Sequence, residues 1–170
     1  MSMSDDEKKK VRDWQKEGHK GGCRCFACDN GMEAVNKWQD ECMKRDGFYM
    51  HFVPLPHGYV NAHTHGFKET WGHPDLQVVI PLPQQVMSSI FWNFANRVKK
   101  GEAFKAGDLV DKIISGHPVK LIDAKEEGRP ILRVLLPDPK WRYPGDTGCT
   151  EIYEAQTTLE TDYQDATKRN

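Results

Sequence analysis

From residue 32 to residue 136 the apolar positions switch repeatedly between helical spacing and strict alternation. Met32, Val35, Trp38 and Cys42 recur at helical intervals, and Asp46-Gly47 supplies a stop, so the spacing predicts a helix over 32–45. Phe48, Met50 and Phe52 then alternate with Tyr49, His51 and Val53, the period of a strand. Pro54, Pro56 and Gly58 make a turn or bulge. Tyr59 to His65 reads as the next strand, and the nearly continuous apolar run from Leu76 to Leu82 as a more buried one. Pro83 suits the first turn of a helix running to about Lys100, with Val86, Ile90, Phe91, Phe94 and Val98 as its apolar stripe and Gly101 as its end. A shorter helix is predicted over Asp108 to Ser115, with Leu109, Ile113 and Ile114 inward. Val119 to Asp123 and Pro130 to Leu136 are the last strands, and the Pro-, Gly-, Asp- and Thr-rich chain beyond Pro137 is expected to wrap the surface.

Helix, three strands, two helices and two further strands make an α+β protein: a single domain, with a mainly antiparallel sheet and helices packed on one face. Its predicted extent is 23–156. Residues 1–22 read as a charged N-terminal helix or arm, because Val11 and Trp14 are nearly all that the stretch 5–18 has to bury. Residues 157–170 read as a flexible C-terminal tail.

Composition narrows the function classes. The chain has 170 residues, of which 38% are hydrophobic and 29% charged, which suits one soluble domain with a real core. A net charge of −1 gives no global argument for nucleic acid or an anionic membrane, although Lys99, Lys100 and Lys105 lie close together. No apolar run approaches the roughly 20 residues that span a bilayer. The charged N-terminus has no apolar core after it, which points to a cytoplasmic location and reduced thiols.

Two groups of residues have the chemistry of a site. Asn61-Ala62-His63-Thr64-His65-Gly66-Phe67 is followed closely by Gly72-His73-Pro74-Asp75-Leu76. On a strand His63 and His65 face the same way, and a loop can bring back His73 and Asp75. Imidazole is a common ligand for zinc, iron, copper or nickel, so His63, His65 and His73 are a candidate metal set, with Asp75 or Glu69 as a further ligand or general base. The same residues, with Trp71, are candidates for holding a small ligand. The plain alternative puts His63 and His65 on a solvent-facing strand and makes His73-Pro74 local turn chemistry. The second group is Cys23-Arg24-Cys25-Phe26-Ala27-Cys28, whose three thiols suit a structural zinc with His19 or Cys42 as fourth ligand. Five cysteines, an odd number, argue against a disulfide framework. Asp138, between two prolines, is either an exposed acid or a turn cap. Neither a Gly-x-Ser-x-Gly elbow nor a glycine-rich phosphate loop occurs.

Taken in order, Cys23 to Cys28, Gly47-Phe48, Thr64-His65-Gly66-Phe67, Gly72-His73-Pro74-Asp75-Leu76, the helix ending in Gly101, Gly116-His117-Pro118-Val119, Leu136-Pro137-Asp138, Tyr153 and Gln156 resemble a bacterial and phage family known as domain of unknown function 4262. The resemblance covers roughly residues 23 to 156. It implies a small cytosolic α+β domain and no particular activity. A looser similarity of pattern to immunity-type and suppressor-of-fused-like modules adds weight to binding. The commoner family form has an aromatic residue before the Thr and a β-branched residue after it; here those places hold His63 and His65. Two functions follow as expectations. The first is a module that binds a small ligand or protein partner and holds a structural zinc. The second is a metal-dependent hydrolase built on the His-x-His pair with His73 and Asp75.

Overall fold

The computed structural model describes residues 26–159. The N-terminal arm, Cys23, Cys25 and the tail beyond residue 159 lie outside the described residues, so the zinc expected at the cysteines does too. Cys28 falls early in the first helix.

The described chain runs α1 (Phe26–Asp46), β1 (Tyr49–Pro54), a short 3₁₀ turn (Pro56–Gly58), β2 (Val60–His65), α2 (Phe67–Trp71), β3 (Leu76–Val79), α3 (Gln84–Val98), β4 (Leu109–Val110), β5 (Val119–Glu126), β6 (Arg129–Leu135) and α4 (Glu151–Thr158). The six strands form one mixed sheet in the order β1-β2-β3-β6-β5-β4. Only the β3–β6 pair is parallel. The architecture is α+β with a mostly antiparallel sheet, as the pattern predicts.

Alternation divides the sheet into two unlike faces. Met50, Phe52, Val60, Ala62, Leu76, Val78, Leu121, Leu132 and Val134 point one way, into a core closed by α3 through Met87, Ile90, Phe91, Phe94 and Val98. Tyr49, His51, Asn61, His63, His65, Gln77 and Arg133 occupy the alternate positions. On that second face α4 packs Ala155, with Leu159 just beyond it, against Val79 and Leu55. The Gln156 amide clamps the backbone of Leu136, accepting from its N–H and donating to its carbonyl, both at 2.8 Å.

Several local expectations change. No helix covers 108–115; that stretch is the two-residue strand β4 followed by turns. Leu109 and Ile113 sit four apart, which mimics a helical stripe, but Leu109 is exposed and Lys112 takes a left-handed φ of 62°. α1 begins earlier than predicted and is broken at Gly31, and Met32 and Trp38 are exposed rather than inward. Val86 is likewise exposed, and Met87 takes its place in the core. β3 ends at Val79 instead of Leu82. The chain after Pro137 is not all surface wrap. Asp138 is buried and accepts from the N–H groups of Lys140, Arg142 and Thr150, the Arg142 guanidinium and the Thr150 hydroxyl. Those donors, led by Arg142, hold its carboxyl well below the usual range, so Asp138 acts as a turn cap.

Candidate functional site

The two parts of the His63 to Asp75 segment play different roles. Thr64 Oγ1 donates to Asp75 Oδ1 at 2.8 Å and accepts from Leu76 N at 2.9 Å, tying β2 to the start of β3. Asp75 also accepts from Phe67 N at 3.2 Å and Arg129 Nη1 at 2.9 Å. Burial raises its pKa, while those donors pull against the rise. His73 Nδ1 donates to Pro74 O at 2.7 Å, and its Nε2 accepts from Phe104 N at 3.1 Å. Both nitrogens of His73 are therefore engaged, and its ring packs edge-on against Phe67 and Phe104. Trp71 packs on Phe48 and Phe67, with Lys99 over its ring. The structure gives His73, Asp75 and Trp71 framework positions and does not bring them to the histidine pair.

Gly66 belongs to the same frame. Its φ of 111° is left-handed, and a Cβ placed on it would lie 2.8 Å from Gly47 O. The bare backbone lets the end of α1 close against the end of β2.

His63 and His65 gain a different partner. β1 pairs with β2 in a register that sets His51 opposite His63 and Tyr49 opposite His65. One ligand atom from each of His51, His63 and His65 lies within 4.8 Å of the others. The ring centroids are 5.5 Å apart for His51–His63, 4.6 Å for His51–His65 and 5.0 Å for His63–His65. Tyr49 stacks on His65 at 5.0 Å, and the Gln39 amide of α1 sits 3.3 Å from His51 Nε2. His65 Nε2 is buried and has no hydrogen-bond partner. An unpaired buried ring nitrogen is costly unless something occupies its lone pair or takes its proton.

Electrostatics keep this group neutral. Burial, then the neighbouring imidazoles and Arg129, push His63 down to about 2. Burial, Arg129 and His51 push His65 down to about 3, and burial with Arg129 lowers His51. Neutral imidazole is the form that ligates a metal. Arg129 itself is bonded to Asp75, Glu126 and Thr64 O, which neutralises it locally. A cleft of about 310 Å³ adjoins His65, lined by Gln39, Asp40, Met43, Tyr49, Gly66, Glu69 and Arg129. With Asp40 and Glu69 at this cleft, the approach favours a cation.

His51 was not among the candidate residues in the sequence. Strand alternation puts His51 on the face of Tyr49, but the register that sets it opposite His63 depends on the hairpin at Pro54 to Tyr59.

Among the described residues no helix is long and apolar enough to cross a membrane. The family model for domain of unknown function 4262 matches residues 42–150, from Cys42 on α1 to Thr150 ahead of α4. That span takes in the whole sheet and all three histidines. The comparison with curated proteins returned no match, and neither did the comparison with solved structures.

Proposed function

We propose that this chain, which belongs to the domain of unknown function 4262 family, binds a divalent transition metal, zinc foremost, through His51, His63 and His65, and presents it beside the cleft to a small ligand or protein partner. The observation that carries this reading is the convergence of three neutral imidazoles within 4.8 Å on one face of a two-stranded ladder. The unpaired, buried His65 Nε2 adds to it. Imidazole sets of this kind suit zinc, copper, nickel or iron, whereas calcium and magnesium prefer oxygen. The free thiols of Cys42 and Cys149 fit a cytosolic setting for such a protein.

A hydrolytic use of the same centre is the second reading. It is favoured by the cleft beside His65, whose lining includes Glu69, a candidate general base. A structural zinc at Cys23, Cys25 and Cys28 is a separate proposal that the histidine centre neither needs nor replaces.

Zinc content of full-length protein purified without a metal-affinity tag tests these readings together. The histidine centre predicts one zinc lost in His63→Ala or His65→Ala and retained in Cys25→Ser. Loss in Cys25→Ser with retention in His65→Ala would move the metal to the cysteines and overturn the main proposal. Hydrolysis is tested with zinc-loaded protein on chromogenic esters and phosphoesters. It requires turnover that falls in Glu69→Gln while zinc stays bound.

A further inference from the structure

We infer that Gln77 is a positioning residue of the histidine centre: held by Arg133, it acts through Asn61 to fix His63 with its proton on Nδ1, so that Nε2 is the atom offered to the metal. The inference deepens the metal reading above and rests on it. It comes from a line of hydrogen bonds across the polar face whose direction is set at its far end.

The line starts at α4. Arg133 Nη1 donates to Gln156 O at 2.9 Å and to Leu159 O at 3.3 Å, at the C-terminal end of that helix. Arginine is a donor only. Its Nε lies 2.7 Å from Gln77 Oε1, so that end of the amide must be oxygen. Gln77 Nε2 is thereby aimed at Asn61 and donates to Oδ1 at 2.9 Å. Turning the Asn61 amide over would set two NH₂ groups against each other. His63 Nδ1 lies 3.2 Å from the same Asn61 oxygen, so Nδ1 carries the proton. His63 is neutral in the fold, and a neutral imidazole has one ring proton, which leaves Nε2 with its lone pair.

The sheet holds this line in place. Gln77 on β3 pairs with His63 on β2 and with Arg133 on β6, so it stands between the residue that sets the direction and the ligand that receives it. Asn61 is 1% exposed, His63 2%, Gln77 0% and Arg133 6%, so solvent does not offer these groups a competing arrangement. In metal sites the ring nitrogen that binds is chosen by the hydrogen bond the other one makes. Here that choice is made before any metal arrives, which spares the ion the cost of reorienting a buried ring.

Gln77→Glu reverses the line without removing it. Its carboxylate still accepts from Arg133 and is close to the amide in shape, but it presents an acceptor to Asn61. The Asn61 amide must then turn over and set its NH₂ toward His63 Nδ1, which moves the ring proton to Nε2. Asn61→Asp is the companion, because it keeps an oxygen for both Gln77 and His63. The tautomer is read in histidine-labelled, metal-free, full-length protein by long-range proton–nitrogen correlation NMR, with the His63 signals identified by their loss in His63→Ala. The Nδ1–H form is expected in the parent and in Asn61→Asp, and the Nε2–H form in Gln77→Glu. Cobalt is titrated in a Cys25→Ser background so that thiolate binding does not intrude. It should bind at least about tenfold more weakly in Gln77→Glu and within about threefold of the parent in Asn61→Asp. An Nε2–H form in the parent overturns the assignment. Unchanged cobalt affinity in Gln77→Glu overturns it too, whichever tautomer is found. No cobalt uptake by the parent overturns the metal reading, and the positioning role falls with it; the tautomer, measured without metal, shows separately whether the line is right. Should Gln77→Glu fail to fold, the tautomer of the parent and the cobalt affinity of Asn61→Asp decide.

Discussion

The two faces of the sheet are built from the same strands and solve opposite problems. On the α3 face every contribution from β2 and β3 is apolar apart from Thr64, whose hydroxyl is spent on Asp75 and Leu76 N. On the other face β2 offers Asn61, His63 and His65, and β3 offers Gln77. The first face lowers its free energy by excluding water from side chains that ask for no partner. The second buries groups that each demand one, and its accounts are settled group by group. It is on this face that His65 Nε2 is left unpaired and that His63 Nε2 lies 3.4 Å from Glu126 Oε1. Stability is concentrated on one side of the sheet, and unmet chemistry on the other.

That contrast can be pressed experimentally, and the largest effect belongs to the apolar face. Phe91→Ala empties a fully buried position and should cost about 3–5 kcal/mol in chemical denaturation, with metal stoichiometry unchanged in the folded fraction. A loss of metal alone, without destabilisation, would erase the division between the faces. Next, His65→Phe keeps a ring against Tyr49 and removes the unpaired nitrogen. Its metal-free melting temperature should hold or rise, while zinc affinity by competition titration falls at least about 100-fold. Zinc at a hundred times its dissociation constant should stabilise the parent by about 2.7 kcal/mol, and this increment should vanish in His65→Phe. Asn61→Leu removes the oxygen that lies 3.2 Å from His63 Nδ1, and affinity should drop about tenfold.

The smallest effect near neutrality is a pH dependence of the metal-free protein. His63 and His65 titrate at about 2 and about 3 in the fold, against 6.5 as the ordinary imidazole value. Between those limits only the unfolded chain takes up the protons. Stability is therefore fully present above pH 6.5 and declines as the pH falls toward 3. Melting curves at pH 7 and pH 5 should show the loss, and His65→Phe should flatten it.

Much of the fold was legible because β2, β3 and α3 have clean periods. His63 and His65 shared a face for the same reason, and α3 ends where Gly101 follows. The failures have physical causes. Leu109 and Ile113 carried helical spacing, but the turn residues around them prevailed. α4 was missed because it buries little apolar surface of its own, mainly Ala155, and holds its place through the Gln156 amide. His73 stood out as a ligand type, yet the backbone claimed both its nitrogens. His51 lay in a strand that was read correctly; what no single strand states is which neighbour it will face.

β3 is only four residues long and starts at Leu76. Where it has not yet begun, the sheet has a window between β2 and the tip of the β5–β6 hairpin. Through that opening Arg129 reaches Thr64 O, and Glu126 reaches His63. A window can be shut. Lengthening β3 by two residues at its N-terminal end would carry the ladder across the gap and part Arg129 from Thr64 O. The length of one short strand thus sets how near the hairpin tip comes to β2.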